Sequence, residues 1–243
     1  MCLATRQFMR IANLRREYNL TGLYRRDLDS NPIDQFKTWF NQATGERRSG
    51  RVRRFLIQLY KMFSAARVGQ ATEANAATLA TVGSDGRPSA RIILVKGVDE
   101  RGFIFFTNYE SRKGRELAAN PHAALVFYWP DQERQICIVG EVKKLSCEES
   151  KTYFESRPRG SRLGAWASLQ SEPVESRSTL ELRLRELEAK FQGEEIPMPP
   201  YWGGYVFVPA RIEFWQGRPR RLHDRFVYEK QPDGDWGIER LCP

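Results

Sequence analysis

The sequence predicts a mostly β protein with added helices, built as a barrel or sandwich of antiparallel strands. Three observations predict it. From Ala77 onward the apolar residues fall into short runs rich in β-branched and aromatic side chains. Short turn signals such as Gly83-Ser-Asp-Gly86 and Asp99-Glu-Arg-Gly102 join these runs and favour hairpins over long crossovers. No G-x-G-x-x-G follows a strand and no G-x-x-x-x-G-K-[ST] occurs, so the fingerprints of doubly wound and P-loop folds are absent.

The elements follow in chain order. Residues 10–43 read as helical and polar, with a break at Asn31-Pro32. Within them Phe36, Trp39 and Phe40 form an apolar stripe at helical spacing. Residues 51–66 are a second amphipathic candidate: Val52, Phe55, Leu56, Leu59, Tyr60 and Phe63 keep the helical period, with basic residues between them. Strands are expected at 78–82, 88–96 and 103–107. Ser111 is placed to cap a short helix that stops at Asn120-Pro121. A strand pair, 123–129 and 134–145, flanks Pro130-Asp131. Ser146-Cys-Glu-Glu149 has the capping-box pattern and opens a helix to about Ser156. Residues 175–192 read as a long charged helix. Three more strands near 203–216, 221–229 and 236–240 bring the total to about eight. Nothing repeats internally. The chain divides into an N-terminal helical arm, 1–76, and a β region, 77–243, within one structural domain.

Composition narrows the functional classes. A hydrophobic content of 41% supports a real core, and no run of apolar residues is long enough to cross a bilayer. Cys2, Cys137, Cys147 and Cys242 form no C-x-x-C pair, and Met1–Arg10 hold no apolar run fit for a secretory signal. Both points predict a reducing cytoplasm. With only His122 and His223 in the chain, a histidine-based metal site is not expected. The net charge of +9 suggests nucleic acid, but its distribution does not. Residues 44–67 hold seven cations against Glu46 alone, or +6, so most of the excess is one segment rather than a stripe along the fold.

Five clusters carry candidate chemistry. The densest is Glu213–Phe226, with Trp215, Gln216, Arg221, His223, Asp224 and Arg225 between apolar segments. Guanidinium forks suit phosphate or carboxylate, and Trp offers a flat face. Read as a strand, Arg221, His223 and Arg225 share one face; a solvated basic edge strand is the alternative. Arg91 and Lys96 bracket the apolar strand Ile92-Ile93-Leu94-Val95 and point to opposite faces. Thr107 ends a strand before the helix start at Ser111-Arg112-Lys113, where free N–H groups and two cations suit a phosphate. Tyr153, Arg157 and Ser161, at spacing four, offer donors to a second phosphate. Gln170 and Ser171 add uncharged donors. Taken singly, each has a plain reading as a cap, a helix end or a charged strand end. Taken together, they imply two phosphorylated ligands, a cofactor and a substrate.

These residues resemble the pyridoxine/pyridoxamine 5′-phosphate oxidases. The likeness rests on Leu14-Arg-Arg-Glu-Tyr18, Arg91–Lys96, Thr107-Asn108 with Ser111-Arg-Lys113, Glu133-Arg-Gln135 and Tyr153–Ser161. It continues through Gly164-Ala-Trp166, Gln170-Ser171, Tyr201-Trp-Gly-Gly204 and Glu213–Phe226. It spans about residues 10–43 and 69–243. The resemblance implies a split β-barrel of antiparallel strands that binds FMN at the interface of a homodimer. It implies oxidation of pyridoxine 5′-phosphate or pyridoxamine 5′-phosphate to pyridoxal 5′-phosphate. Hydride would pass from C4′ to flavin N5, with O2 as acceptor, H2O2 as product and ammonia released from the amine.

Residue by residue, the resemblance implies that Arg91, Lys113 and Ser171 hold the FMN phosphate and ribityl end, with Arg112, Thr107 and Gln170 beside them. Ile92, Ile93, Leu94, Val95, Lys96 and Phe106 complete the cofactor-binding strands. Gln135, Trp215 and Arg225 would meet the flavin ring. Lys96, Tyr153, Arg157 and Ser161 would bind the substrate phosphate. Arg221 and His223 would cover the pyridine ring as the catalytic pair. Arg15 and Tyr18 would belong to a lid over the substrate. Phe106 stands where relatives also carry tyrosine. The segment near 44–66 resembles an insertion, either a tolerated surface helix or a basic helix for a membrane or partner. A split-barrel flavoprotein of other function, such as a flavin reductase or haem-handling protein, is the competing reading. The complete substrate set argues against it.

Overall fold

The computed structural model describes residues 17–20, 22–45 and 73–243. Its centre is an antiparallel sheet of eight strands in the order β3-β2-β1-β4-β5-β6-β7-β8: β1 Ala76–Val82, β2 Pro88–Asp99, β3 Gly102–Asn108, β4 His122–Trp129, β5 Arg134–Lys144, β6 Trp202–Gln216, β7 Asp224–Lys230 and β8 Trp236–Leu241. A further pairing of β3 with β6 closes the first six strands into a barrel. Closure removes the exposed edges, and β7 and β8 extend the sheet beyond it.

β6 is the organising strand. Trp202–Phe207 pair with β3, Tyr205–Gln216 with β5, and Arg211–Gln216 with β7. Pro209 donates nothing to a ladder, and it sits where the β5–β6 register shifts at Val139/Gly140. Gly140 is required there, because a Cβ would lie 2.1 Å from the Val208 carbonyl. Inward residues such as Leu79, Phe105, Leu125, Ile138, Ile212 and Phe214 are fully buried and fill the barrel.

The helices are α1 Pro32–Ala43, α2 Arg112–Ala119, α3 Cys147–Ser156, α4 Arg159–Ala167 and α5 Arg177–Lys190. Asn31 caps α1 through Ile33 N–H, with Pro32 in its first turn. The α1 stripe enters the barrel core: Phe36 lies 4.8 Å from Phe103, and Trp39 lies 5.2 Å from Phe214. A second core, Phe154, Leu163, Phe191, Ile196 and Trp202, joins α3, α4 and α5 to the start of β6.

Three expectations need correction. Helix was expected across 10–43, but residues 22–31 hold only the short 3-10 turn Arg25–Asp27. Asp29 and Asn31 engage local backbone N–H groups there, which competes with helix. α4 was not foreseen. The last strand but one begins at Asp224 rather than near 221, because Arg220 and Arg221 take positive φ, 58° and 62°, in the turn Pro219–Arg221. Residues 10–16 lie outside the described residues, as does the 51–66 stripe; of the segment near 44–66, only Thr44 and Gly45 are described.

Candidate active site

A cavity of about 680 Å³ opens between β2, β3 and the α3–α4 corner. β2 presents Ile92, Leu94 and Lys96 to it, with Ile93 also lining the wall. Val95 and Arg91 do not line it: Val95 is buried in the core and Arg91 turns to α2. This bears out opposite faces for Arg91 and Lys96. Phe106 stacks on Tyr153 at 3.8 Å between ring centres, with Trp202 parallel beside the pair at 5.6 and 6.3 Å. Phenylalanine at 106 therefore supplies a stacking face without a hydroxyl.

Tyr153, Arg157 and Ser161 all line the cavity, although no single helix carries them. α3 ends at Ser156, Arg157 and Pro158 are extended, and α4 starts at Arg159. Pro158 disfavours helix at Arg157 and makes this corner. The Arg157 guanidinium lies 4.8 Å from the Trp202 ring centre. Its Nη1 is buried without a hydrogen-bond partner. Burial pushes Arg157 below its ordinary pKa, against the pull of Tyr153.

Lys113 projects from the first turn of α2, which Ser111 caps. Its Nζ donates to Thr107 Oγ1 at 3.2 Å, Ser111 Oγ at 3.3 Å and Gln170 Oε1 at 3.0 Å. Burial, and then the nearby Arg91, lower the Lys113 pKa to about 8, with Glu116 opposing. Arg91 and Arg112 both pair with Glu116, at 3.0 and 2.8 Å. Burial would raise the Glu116 pKa, but hydrogen bonds from Ser89, Thr81, Arg112 and Arg91 outweigh it and hold the carboxyl at about 2. Three cations thus face one carboxylate, a corner suited to phosphate. Sequence reasoning missed Glu116; its signal was the i, i+4 spacing from Arg112. Ser171, next to Gln170, takes a left-handed conformation, φ 76°, and is exposed.

The other expected residues gather elsewhere. Gln135 stands opposite Trp215, and Trp215 opposite Arg225. Arg225 pairs with buried Glu213 at 2.7 Å. The His223 ring lies 4.5 Å from Trp215, and Tyr18 meets both rings edge-on at 5.7 and 5.8 Å. His223 Nδ1 accepts from the Arg218 N–H at 3.1 Å, which leaves Nε2 to carry the proton of the neutral ring. Burial and then Arg221 push the His223 pKa down, with Asp224 opposing. The expected single face for Arg221, His223 and Arg225 does not form. Arg221 is exposed in the turn, His223 follows it, and only Arg225 lies in β7. Arg15 lies outside the described residues.

None of Gln135, Trp215, Arg221, His223 and Arg225 lines the cavity. Gly204 of β6 pairs with Phe106 at the cavity, and Trp215 is eleven residues farther along the same strand. At about 3.3 Å per residue, a straight strand would separate them by roughly 35 Å. The expected site residues thus fall into two separate groups within one chain.

The closed antiparallel barrel with a cationic cavity defines the class of split-barrel flavoproteins. A pyridoxamine 5′-phosphate oxidase-related, FMN binding protein from Nostoc punctiforme shares the fold, with a TM-score of 0.58 and 18% identity over 80% of this chain and 100% of that one. PhzG from Burkholderia lata, solved with tetrahydrophenazine-1-carboxylic acid, gives a TM-score of 0.75 and 34% identity over 91% of this chain and 98% of that one. Residues 65–191 match the family model described as pyridoxamine 5′-phosphate oxidase. Residues 202–243 match the pyridoxine 5′-phosphate oxidase C-terminal dimerisation region. The pyridoxine/pyridoxamine 5′-phosphate oxidase of Paraburkholderia phytofirmans is 54% identical, over 96% of this chain and 99% of that one. That of Nostoc punctiforme is 52% identical, over 96% and 98%. The chain belongs to the pyridoxine/pyridoxamine 5′-phosphate oxidase family and is an oxidoreductase.

Proposed function

We propose that the protein oxidises pyridoxine 5′-phosphate and pyridoxamine 5′-phosphate to pyridoxal 5′-phosphate, using FMN and dioxygen. The observation that carries the reading is Arg157, whose Nη1 is buried at the cavity without a partner. An unmatched buried guanidinium donor is costly and calls for an anion. A substrate phosphate held by Lys96, Tyr153, Arg157 and Ser161 would supply it.

The residues also fit FMN. Lys113, with its lowered pKa, sits among Thr107, Gln170 and the Arg91–Arg112 pair, and an added phosphate would offset the excess positive charge. Bound FMN supplies the hydride acceptor, which no side chain can be. The alcohol and O2 give aldehyde and H2O2; the amine, water and O2 give aldehyde, ammonia and H2O2.

The chain's own contribution is orientation. The phosphate clamp fixes one end of the substrate. The Trp215 half-site would cover the pyridine and flavin rings from a second copy. The separation of the two half-sites supports a homodimer that completes each site, as does the match to a dimerisation region. Within that site Arg221 would assist at C4′. His223 is held neutral and would position the ring rather than serve as an obligatory base. Arg225, fixed by Glu213, would place a steady positive charge at the flavin's polar edge. A reducing cytoplasm suits this chemistry, and among the described residues no helix is long and apolar enough to cross a membrane.

The test is the visible absorption spectrum of the purified protein, followed by oxygen uptake with pyridoxine 5′-phosphate and with unphosphorylated pyridoxine. Flavin absorption and a strong preference for the phosphorylated alcohol are expected. A colourless protein that gains no flavin on titration with FMN, or equal turnover of both alcohols, would refute the reading.

A further inference from the structure

We infer that Glu133 and Asp224 are positioning residues that hold the described arm residues 17–20 and 22–24 against Trp215 and His223, and thereby set how tightly the site binds its substrate. The inference rests on the function proposed above.

Glu133 follows the turn Pro130–Gln132 in a left-handed conformation, φ 54°, which is uncommon for a side chain of this size. That conformation aims a buried carboxylate at the arm: Oε2 accepts from Asn19 N–H at 3.1 Å and Leu20 N–H at 3.2 Å. The Glu133 carbonyl accepts from Gly217 N–H at 2.7 Å, which ties this turn to the end of β6. Asp224 Oδ2, at the start of β7, accepts from Leu23 N–H at 3.0 Å. Arg218 donates to the Leu20 carbonyl at 3.3 Å and pairs with Asp224 at 3.5 Å.

These contacts satisfy backbone groups that no ladder satisfies in this stretch, since residues 17–20 and 22–24 belong to no helix or strand. They also leave the arm one seat. The Leu23 side chain is buried in the barrel core, and Tyr18 lies edge-on against both Trp215 and His223. Gly217 makes room for it: a Cβ there would stand 2.8 Å from the Tyr18 ring. Two acids from separate elements therefore converge on the N–H groups of Asn19, Leu20 and Leu23 in one segment, and the outcome is a fixed aromatic wall on the half-site that carries Arg221 and His223.

The experiment compares FMN-loaded wild type with Glu133→Ala, Glu133→Gln, Asp224→Asn and Tyr18→Ala. Hydrogen exchange of the peptide spanning 17–24 reads the hold on the arm without substrate. Steady-state kinetics with pyridoxine 5′-phosphate read its consequence. Glu133→Ala should lose exchange protection in that peptide and raise KM on the order of tenfold, the loss of charge-assisted hydrogen bonds, with kcat nearly unchanged. Glu133→Gln keeps one carbonyl acceptor and should fall between. The double variant Glu133→Ala with Tyr18→Ala should have a KM no worse than the poorer single variant, because both act through one segment. Should Glu133→Ala fail to fold, Asp224→Asn, which also keeps one carbonyl acceptor, carries the same two expectations at the intermediate size given for Glu133→Gln. Unchanged protection, unchanged KM despite lost protection, or fully additive KM effects would overturn the inference. A wild-type enzyme that leaves pyridoxine 5′-phosphate untouched would instead refute the proposed function, and the exchange result would still judge the hold on the arm.

Discussion

The cavity end of the barrel and the Trp215 end hold similar residues and treat their charges in opposite ways. At the cavity, Arg157 keeps an unmatched buried donor, and burial, then the nearby Arg91, bring the Lys113 pKa down to about 8. At the Trp215 end, four cations are neutralised within the chain: Arg225 and Arg211 by Glu213, and Arg218 and Arg240 by Asp224. The first region stores unmet positive charge, which suits the anions of the proposed function. The second spends its charges on its own geometry. Removing a charge should therefore cost ligand affinity in the first region and stability in the second.

The largest effect is expected in the self-paired region. Glu213→Ala leaves Arg225 and Arg211 without their shared buried carboxylate and should destabilise the protein by about 3–5 kcal/mol. Denaturant unfolding of the FMN-loaded enzyme measures it. A change under 1 kcal/mol, by the same scale, would break the comparison.

At the cavity, Arg157→Ala should weaken substrate binding by about 1.5–3 kcal/mol, one charge-assisted contact, and leave FMN affinity alone. Its thermal midpoint should hold or rise, since an unmatched buried donor is removed. Loss of flavin with an unchanged KM would reverse the assignment of the two phosphate sites.

A smaller effect comes from Lys113. Its pKa is depressed in the free protein, and a bound phosphate favours the charged form, so binding takes up a proton once the pH exceeds about 8. FMN affinity should be flat from neutral pH to about 8, then fall by up to about tenfold, or ~1.4 kcal/mol, per pH unit above it. Fluorescence titrations across that range read the slope, and Lys113→Met should flatten it.

The smallest effect lies away from both regions. Ser146→Ala removes the capping box of α3 and should cost about 1 kcal/mol of stability. KM should not move. A change in KM would show that α3 carries cavity geometry beyond the reach of its first turn.

Much of the local structure was legible in the sequence because its causes are local. Asn31, Ser111 and Ser146 cap helices where their side chains reach the next turn's N–H groups. Gly83–Gly86 and Asp99–Gly102 bound the early strands within a few residues of expectation. The cavity residues Lys96, Tyr153, Arg157 and Ser161 converge as their motifs suggested. What misled was also local pattern. Alternation made Arg221 and His223 look like strand, but two successive positive φ angles at Arg220 and Arg221 turn the chain before β7 begins.

By itself the sequence determined the β character, the capped helices, the family resemblance and the inventory of cations, because period, caps and motifs act over a few residues. Only the tertiary structure decided the rest. Barrel closure joins β3 to β6 across about a hundred residues, and no short-range signal specifies that pairing. The same closure separates the motif residues into two groups and brings Glu133 and Asp224 onto the arm, more than a hundred residues away in sequence. Which cation is paired and which is left unpaired depends on these long-range neighbours, because burial and partner distance, not residue type, set its energy.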